Sequence, residues 1–133
     1  MSHTVKIQAK FRTECLSSFK RAMAVFGWST KENSKIRTYP GDPDRTTEYP
    51  LIAVNPNAGY DLGVQFNEKT GELEVLGDFY DGSISKTLGT NLDKLKQEYS
   101  CCVIEDKFAY EGVSTTRQLE QDGSISIFGE KNY

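Results

Sequence analysis

Histidine is almost missing from this chain: His3 is the one imidazole in 133 residues. A Ser-His-Asp relay needs a histidine set beside a nucleophile, and His3 reads better as a terminal side chain that hydrogen-bonds locally. Cysteine is scarce and odd in number, three residues with Cys101 and Cys102 adjacent. No Cys-x-x-Cys spacing is present for zinc or dithiol chemistry, and a reducing compartment suits the set. No calcium-loop pattern of alternating acids and glycine occurs, so no metal and no cofactor is expected. Gly59, Gly63, Gly71, Gly77 and Gly82 fall in no phosphate-cradling frame between strand and helix, which leaves nucleotide binding without support. An excess of positive charge is lacking too: the formal charge of −3 argues against generic binding to phosphate backbones, which is largely electrostatic. There is no apolar run long enough to span a bilayer, and the start Met1-Ser2-His3-Thr4 lacks the basic-then-apolar order of a signal peptide. The expected compartment is the cytoplasm in which the chain is made.

What is present suits a globular domain. Hydrophobic residues make up 37% and charged ones 26%, with seven Phe, seven Tyr and one Trp, a balance foreign to disordered chains. The length fits one domain over residues 1–133. Residues 91–112 carry the longest helical periodicity: Leu92, Leu95, Tyr99, Cys102, Val103, Ala109 and Tyr110 form one stripe, Thr90 or Asn91 is the expected cap, and Gly112 the stop. Asp106 falls inside that stripe and therefore needs a partner or the solvent. Cys101, Ile104 and Phe108 make a second apolar side, surplus to a helix lying on one sheet. They are the candidate interface, covered by the loop of residues 29–50, by a second copy of the chain or by a foreign partner, and the subunit contact is favoured.

Elsewhere, Val5, Ile7, Ala9 and Phe11 alternate with Thr4, Lys6, Gln8 and Lys10 as a strand with one wet face. Leu16, Phe19, Met23 and Phe26 predict a helix, flanked by Cys15 and Ala22 and stopped at Gly27, with Trp28 plugging the core and its N–H bonded to a backbone acceptor. Residues 36–39 are the only strand predicted in the polar stretch 29–50. Strands follow at 51–54, 60–66 and from Leu73, then at 113–119 and 124–128 around an Asp122-Gly123 hairpin turn. This order gives an α+β fold, a single antiparallel sheet with two helices packed on one face. The opposite face, with Lys6, Gln8, Lys10, Asp61, Gln65, Glu72 and Glu74, reads as solvated surface.

The start Met1-Ser2-His3, the hairpin Gly59-Tyr60-Asp61-Leu62-Gly63, the helix that contains Tyr99 and ends at Gly112, and the closing Asp122-Gly123-Ser124-Ile125 together resemble the family known as hypothetical chloroplast reading frame thirty-five. The likeness runs over nearly the whole chain. Thr4 stands where that pattern has Phe, and the Cys101-Cys102 pair replaces aromatic and polar residues. The resemblance implies a cyanobacterial, plastid or cyanophage origin, hence host cytoplasm or stroma, and a domain of unknown function; it brings no catalytic residue with it.

Function is therefore expected to be a non-enzymatic accessory or protein-docking module, with a protein partner or self-association. Two alternatives stay open. One is a small enzyme using the carboxylates Asp61, Asp78 and Asp81 near Tyr60, Phe79 and Tyr80, although turn chemistry and protection of strand edges explain acids in such places equally well. The other is a weak single-stranded nucleic-acid binder, which needs exposed aromatics among basic residues on adjacent strands. The basic residues Lys6, Lys10, Lys20, Arg21, Lys31, Lys35 and Arg37 do concentrate in the first third, a distribution that solvated surface also explains.

Overall fold

A computed structural model describes residues 4–79 and 82–131, the side chains of residues 4–9 and 43–44 excepted. The chain is α+β. Its strands and helices run β1 (Thr4–Arg12), α1 (Leu16–Val25), β2 (Ser29–Lys35), β3 (Glu48–Val54), β4 (Leu62–Asn67), β5 (Glu72–Asp78), α2 (Ser83–Leu88), α3 (Asp93–Tyr110), β6 (Val113–Leu119) and β7 (Ile125–Lys131). β1 to β5 form one antiparallel sheet in the order β1-β5-β4-β3-β2.

The main core lies between this sheet and the helices. Leu51, Ala53, Leu62, Val64, Leu73 and Val75 alternate along their strands and meet Phe19, Ala22 and Met23 of α1 and Leu95, Tyr99 and Cys102 of α3, as period two against period 3.6 requires. Phe11, Phe19 and Tyr99 pack edge to face with centroids 5.1 and 4.8 Å apart, and the Tyr99 hydroxyl accepts the Arg12 backbone N–H at 2.9 Å. Trp28 is buried as expected, but its indole N–H donates to the Thr87 hydroxyl at 3.0 Å, a side-chain acceptor on α2. Gly27 ends α1 at φ +83° and Gly112 follows α3 at φ +77°, both in the region where a side chain would clash.

Several expectations are corrected. The second strand lies at Ser29–Lys35, in polar sequence, and residues 36–39 are not a strand; pairing with the apolar β3 outweighs the weak local signal. Residues 83–88, for which no element was expected, form helix α2 ahead of α3. Neither Thr90 nor Asn91 caps α3: Asn91 and Leu92 both turn left-handed, at φ +53° and +60°, and the Asp93 carboxylate accepts the Lys94 N–H at 2.8 Å instead. The buried Leu92 holds that unfavourable backbone in place. Ala109 and Tyr110 do not join the buried stripe, because α3 runs past the sheet and leaves both exposed. Nor is the far face of the sheet wholly polar: Ile36, Tyr49 and Ile52 are buried there, with Val54 and Leu76 against them, and the Tyr49 ring lies over Gly63, where a Cβ would meet it at 2.9 Å.

The largest difference is that β6 and β7 do not extend the main sheet. They form a separate two-stranded sheet laid across α3. Its turn is a three-residue loop, in which Glu120 N–H donates to Ser124 O at 2.8 Å and Gly123 N–H to Glu120 O at 3.1 Å. Gly123 takes φ +88°, the left-handed position such loops need. The Asp122 carboxylate accepts the Ser124 N–H and hydroxyl at 2.9 and 2.6 Å.

Candidate functional site

Strand pairing puts Val113, Thr115, Arg117 and Leu119 on one face of the small sheet with Lys131, Gly129, Ile127 and Ile125, because residues directly opposite share a face. That face meets α3. The opposite face carries Ser114, Thr116 and Gln118 with Glu130, Phe128 and Ser126, and Phe128 is 54% exposed.

Arg117 fastens β6 to the helix. Its guanidinium donates to Glu98 at 2.8 Å and grips Glu105 with two bonds of 2.8 and 2.7 Å. Glu98 and Glu105 stand seven residues, about two turns, apart and so on one side of α3. Arg21 of α1 continues the network to Asp106 at 2.8 Å and to Glu105 at 3.4 Å, and bonds the Cys102 carbonyl at 3.1 Å. The Ser18 hydroxyl donates to Asp106 at 2.6 Å. Asp106, out of place in an apolar stripe, thus has two partners on α1. The network's electrostatics agree with its geometry: hydrogen bonds from Arg117 hold the Glu105 carboxyl below the usual glutamate range, and those to Glu105 and Glu98 hold the Arg117 proton still more firmly. Burial pushes the Cys102 thiol up to about 11 and raises Cys101 as well, so neither is poised as a nucleophile.

On the other flank of α3 the chemistry changes. Cys101, Ile104 and Phe108, the expected second side, do lie together, and their first cover is this chain's own hairpin. Cys101 is buried, Phe108 half-buried with its ring under Gly129, and Ile104 still 44% exposed. Between them and β7 runs an open groove of about 540 Å³, bounded by Gln97, Cys101, Ile104, Phe108, Ile125 and Ile127, and none of its lining residues is charged. The Gln97 side chain holds the hairpin tip by donating to Gly123 O at 3.0 Å.

Above the groove lies the free edge of β7. Since Glu120 and Ser124 are hydrogen-bonded across the hairpin, alternation gives Ser126, Phe128 and Glu130 their bonds to β6, and turns the N–H and C=O groups of Ile125, Ile127 and Gly129 outward. The outer strands of the main sheet are protected by comparison. β1 is broken by a register shift between Ile7 and Phe11, and β2 carries Lys31, Glu32 and Lys35 around Asn33 at φ +48°. Such irregularities and charges are how edges avoid pairing. β7 has neither until Glu130.

Two of the three carboxylate candidates, Asp61 and Asp78, fall among the described residues. Asp61 is 2% exposed and precedes β4 rather than facing solvent on it. It accepts the Arg37 backbone N–H and the Arg37 side chain, at 2.8, 2.8 and 2.7 Å. It lines a cleft of about 540 Å³ with Lys31, Lys35 and Ile52, in whose lining neither Asp78 nor any aromatic ring takes part. Asp78 is fully buried; Asp81 and His3 lie outside the described residues. Among the described residues, no three His, Cys, Asp or Glu side chains gather as a metal site, and no helix is long and apolar enough to cross a membrane. Sequence reasoning missed Arg117, Glu98 and Glu105; the signal was there in two glutamates seven apart on a predicted helix followed by an arginine in the next strand. No protein-family model, no curated protein and no solved structure matches the chain.

Proposed function

We propose that this chain is a non-enzymatic accessory module that docks proteins, accepting an extended segment as a third strand on β7. The observation that carries the reading is an unprotected β7 edge above an uncharged groove. An incoming strand would bond the outward groups of Ile125, Ile127 and Gly129, and its alternate side chains would fall over Ile104 and Phe108, the arrangement by which sheet-edge receptors gain both affinity and side-chain selection. The carboxylates support chemistry less well, since Asp61 is ion-paired with Arg37 and the cleft it lines does not include Asp78. The resemblance to the reading-frame family, itself of unknown function, supports a cyanobacterial, plastid or cyanophage setting and a cytoplasmic or stromal location. Selection of short peptides from a displayed library on the immobilised protein tests the reading. Extended apolar sequences should be enriched, and Ile104→Lys should abolish their binding while cooperative unfolding is kept. Peptides that bind Ile104→Lys unchanged would overturn it.

A further inference from the structure

We infer that the segment seated on the β7 edge is β7 of a second copy of this chain, paired antiparallel about a two-fold axis through Phe128. The inference rests on the docking reading above and names its partner. With the axis at that residue, Ile125 faces the partner's Lys131, Ser126 the partner's Glu130 and Ile127 the partner's Gly129. All seven residues of β7 are then paired and no like charges are opposed. The outward backbone groups of Ile125, Ile127 and Gly129 become the bonded ones, as antiparallel alternation demands. Phe128 meets its own symmetry mate on the outer face in a non-bonded pair, where side chains approach most closely.

The helices give an independent argument. A two-fold perpendicular to the sheet keeps both copies of α3 on the same side of a four-stranded sheet ordered β6-β7-β7-β6. The two helices then face one another beneath the paired β7 strands. They run antiparallel, and each brings its Ile104 flank into the groove that the other leaves open. The uncharged lining suits self-association, since side chains close to a two-fold axis meet their own copies and a charge there would repel itself. The β6 edge offers no such fit, because a strand added beside it would set its inward side chains over Glu98, Glu105 and Arg21.

Sedimentation of the parent protein across a dilution series should show a dimer of the 15.0 kDa chain that dissociates on dilution. Phe128→Lys and Ile104→Lys should be monomeric at concentrations where the parent is dimeric, with cooperative melting kept, while Phe66→Lys, on β4 of the main sheet, should stay dimeric. Phe128→Cys locates the axis. Its two thiols would face each other with Cα atoms about 4.5 Å apart, within disulfide reach, so mild oxidation should link the copies, and Thr116→Cys and the parent should not cross-link. A parent monomeric at every concentration overturns the inference, as does a dimer indifferent to Phe128→Lys and not cross-linked by Phe128→Cys. If the parent is monomeric yet selected peptides bind and are lost in Ile104→Lys, the docking reading stands and the self-pairing falls; if neither occurs, both fall.

Discussion

Replacing Arg117 by methionine keeps the aliphatic stem over α3 and removes the guanidinium, leaving Glu98 and Glu105 without their main partner. The Glu98 and Glu105 side chains are only 10% and 16% exposed, so water restores little of the lost solvation. Removing one member of a fully buried pair costs about 3–5 kcal/mol. Here Arg117 is itself 30% exposed and Glu105 retains Arg21 at 3.4 Å, which brings the expected loss to about 2–3 kcal/mol. Urea unfolding of Arg117→Met, Glu98→Gln and the double variant measures it, and the double variant should regain part of the loss, because the orphaned carboxylate is gone. The pH dependence has a definite sign. The Glu105 carboxyl titrates below its ordinary value of 4.5 in the folded protein, so its stabilisation is full above that value and is lost as pH falls through the depressed folded pKa. Arg117→Met lacks this contribution, and its deficit should therefore shrink on acidification. A loss well under about 1 kcal/mol, the worth of an exposed ion pair, with no dependence on acid, would refute the argument and leave apolar contacts to hold the hairpin.

Three further outcomes follow from single contacts. Gly123→Val should lower stability by about 1 kcal/mol or more through strain at φ +88°, and an unchanged urea midpoint would contradict the turn described. Thr87→Val keeps shape but removes the acceptor of the buried Trp28 N–H; about 1–3 kcal/mol should be lost, with a shift in tryptophan emission, and a neutral result would mean that the indole finds another partner. In the folded protein at pH 8, only the half-buried Cys15 should react quickly with a thiol reagent, while Cys101 and Cys102 wait for unfolding. Fast labelling of all three would show α3 to be far more open than its packing implies.

The parts of the fold legible in the sequence were those where period and burial agree. α1, β3, β4 and most of α3 follow from Phe19, Met23, Leu51, Leu62, Leu95 and Tyr99, each a large apolar side chain in phase with its element. β2 was hidden because its seven residues, Ser29 to Lys35, are polar and its strand state comes from the neighbour it pairs with. The separate sheet was hidden for a different reason: periodicity tells which face of a hairpin is apolar, not which surface that face meets. The surplus of Cys101, Ile104 and Phe108 did mark a second covered side of α3. What first covers it is β6 and β7, whose expected strands at 113–119 and 124–128 carry the alternation of a main-sheet hairpin. Arg117 was harder to read: two glutamates seven apart and an arginine in the next strand hint at a pairing, but only the fold lays β6 on α3 and brings Arg21 to the same carboxylates.

Amide hydrogen exchange along β7, read residue by residue at high and low protein concentration, tests the central claim most directly, because it reports whether the free edge is occupied. Ser126 and Phe128, bonded to β6, should be protected throughout. Ile127 and Gly129, whose N–H groups point outward, should be protected at high concentration and exchange rapidly on dilution or in Ile104→Lys. Equally fast exchange of Ile127 and Gly129 at every concentration, in a protein whose Ser126 and Phe128 remain protected, would show the edge to be bare and contradict the account.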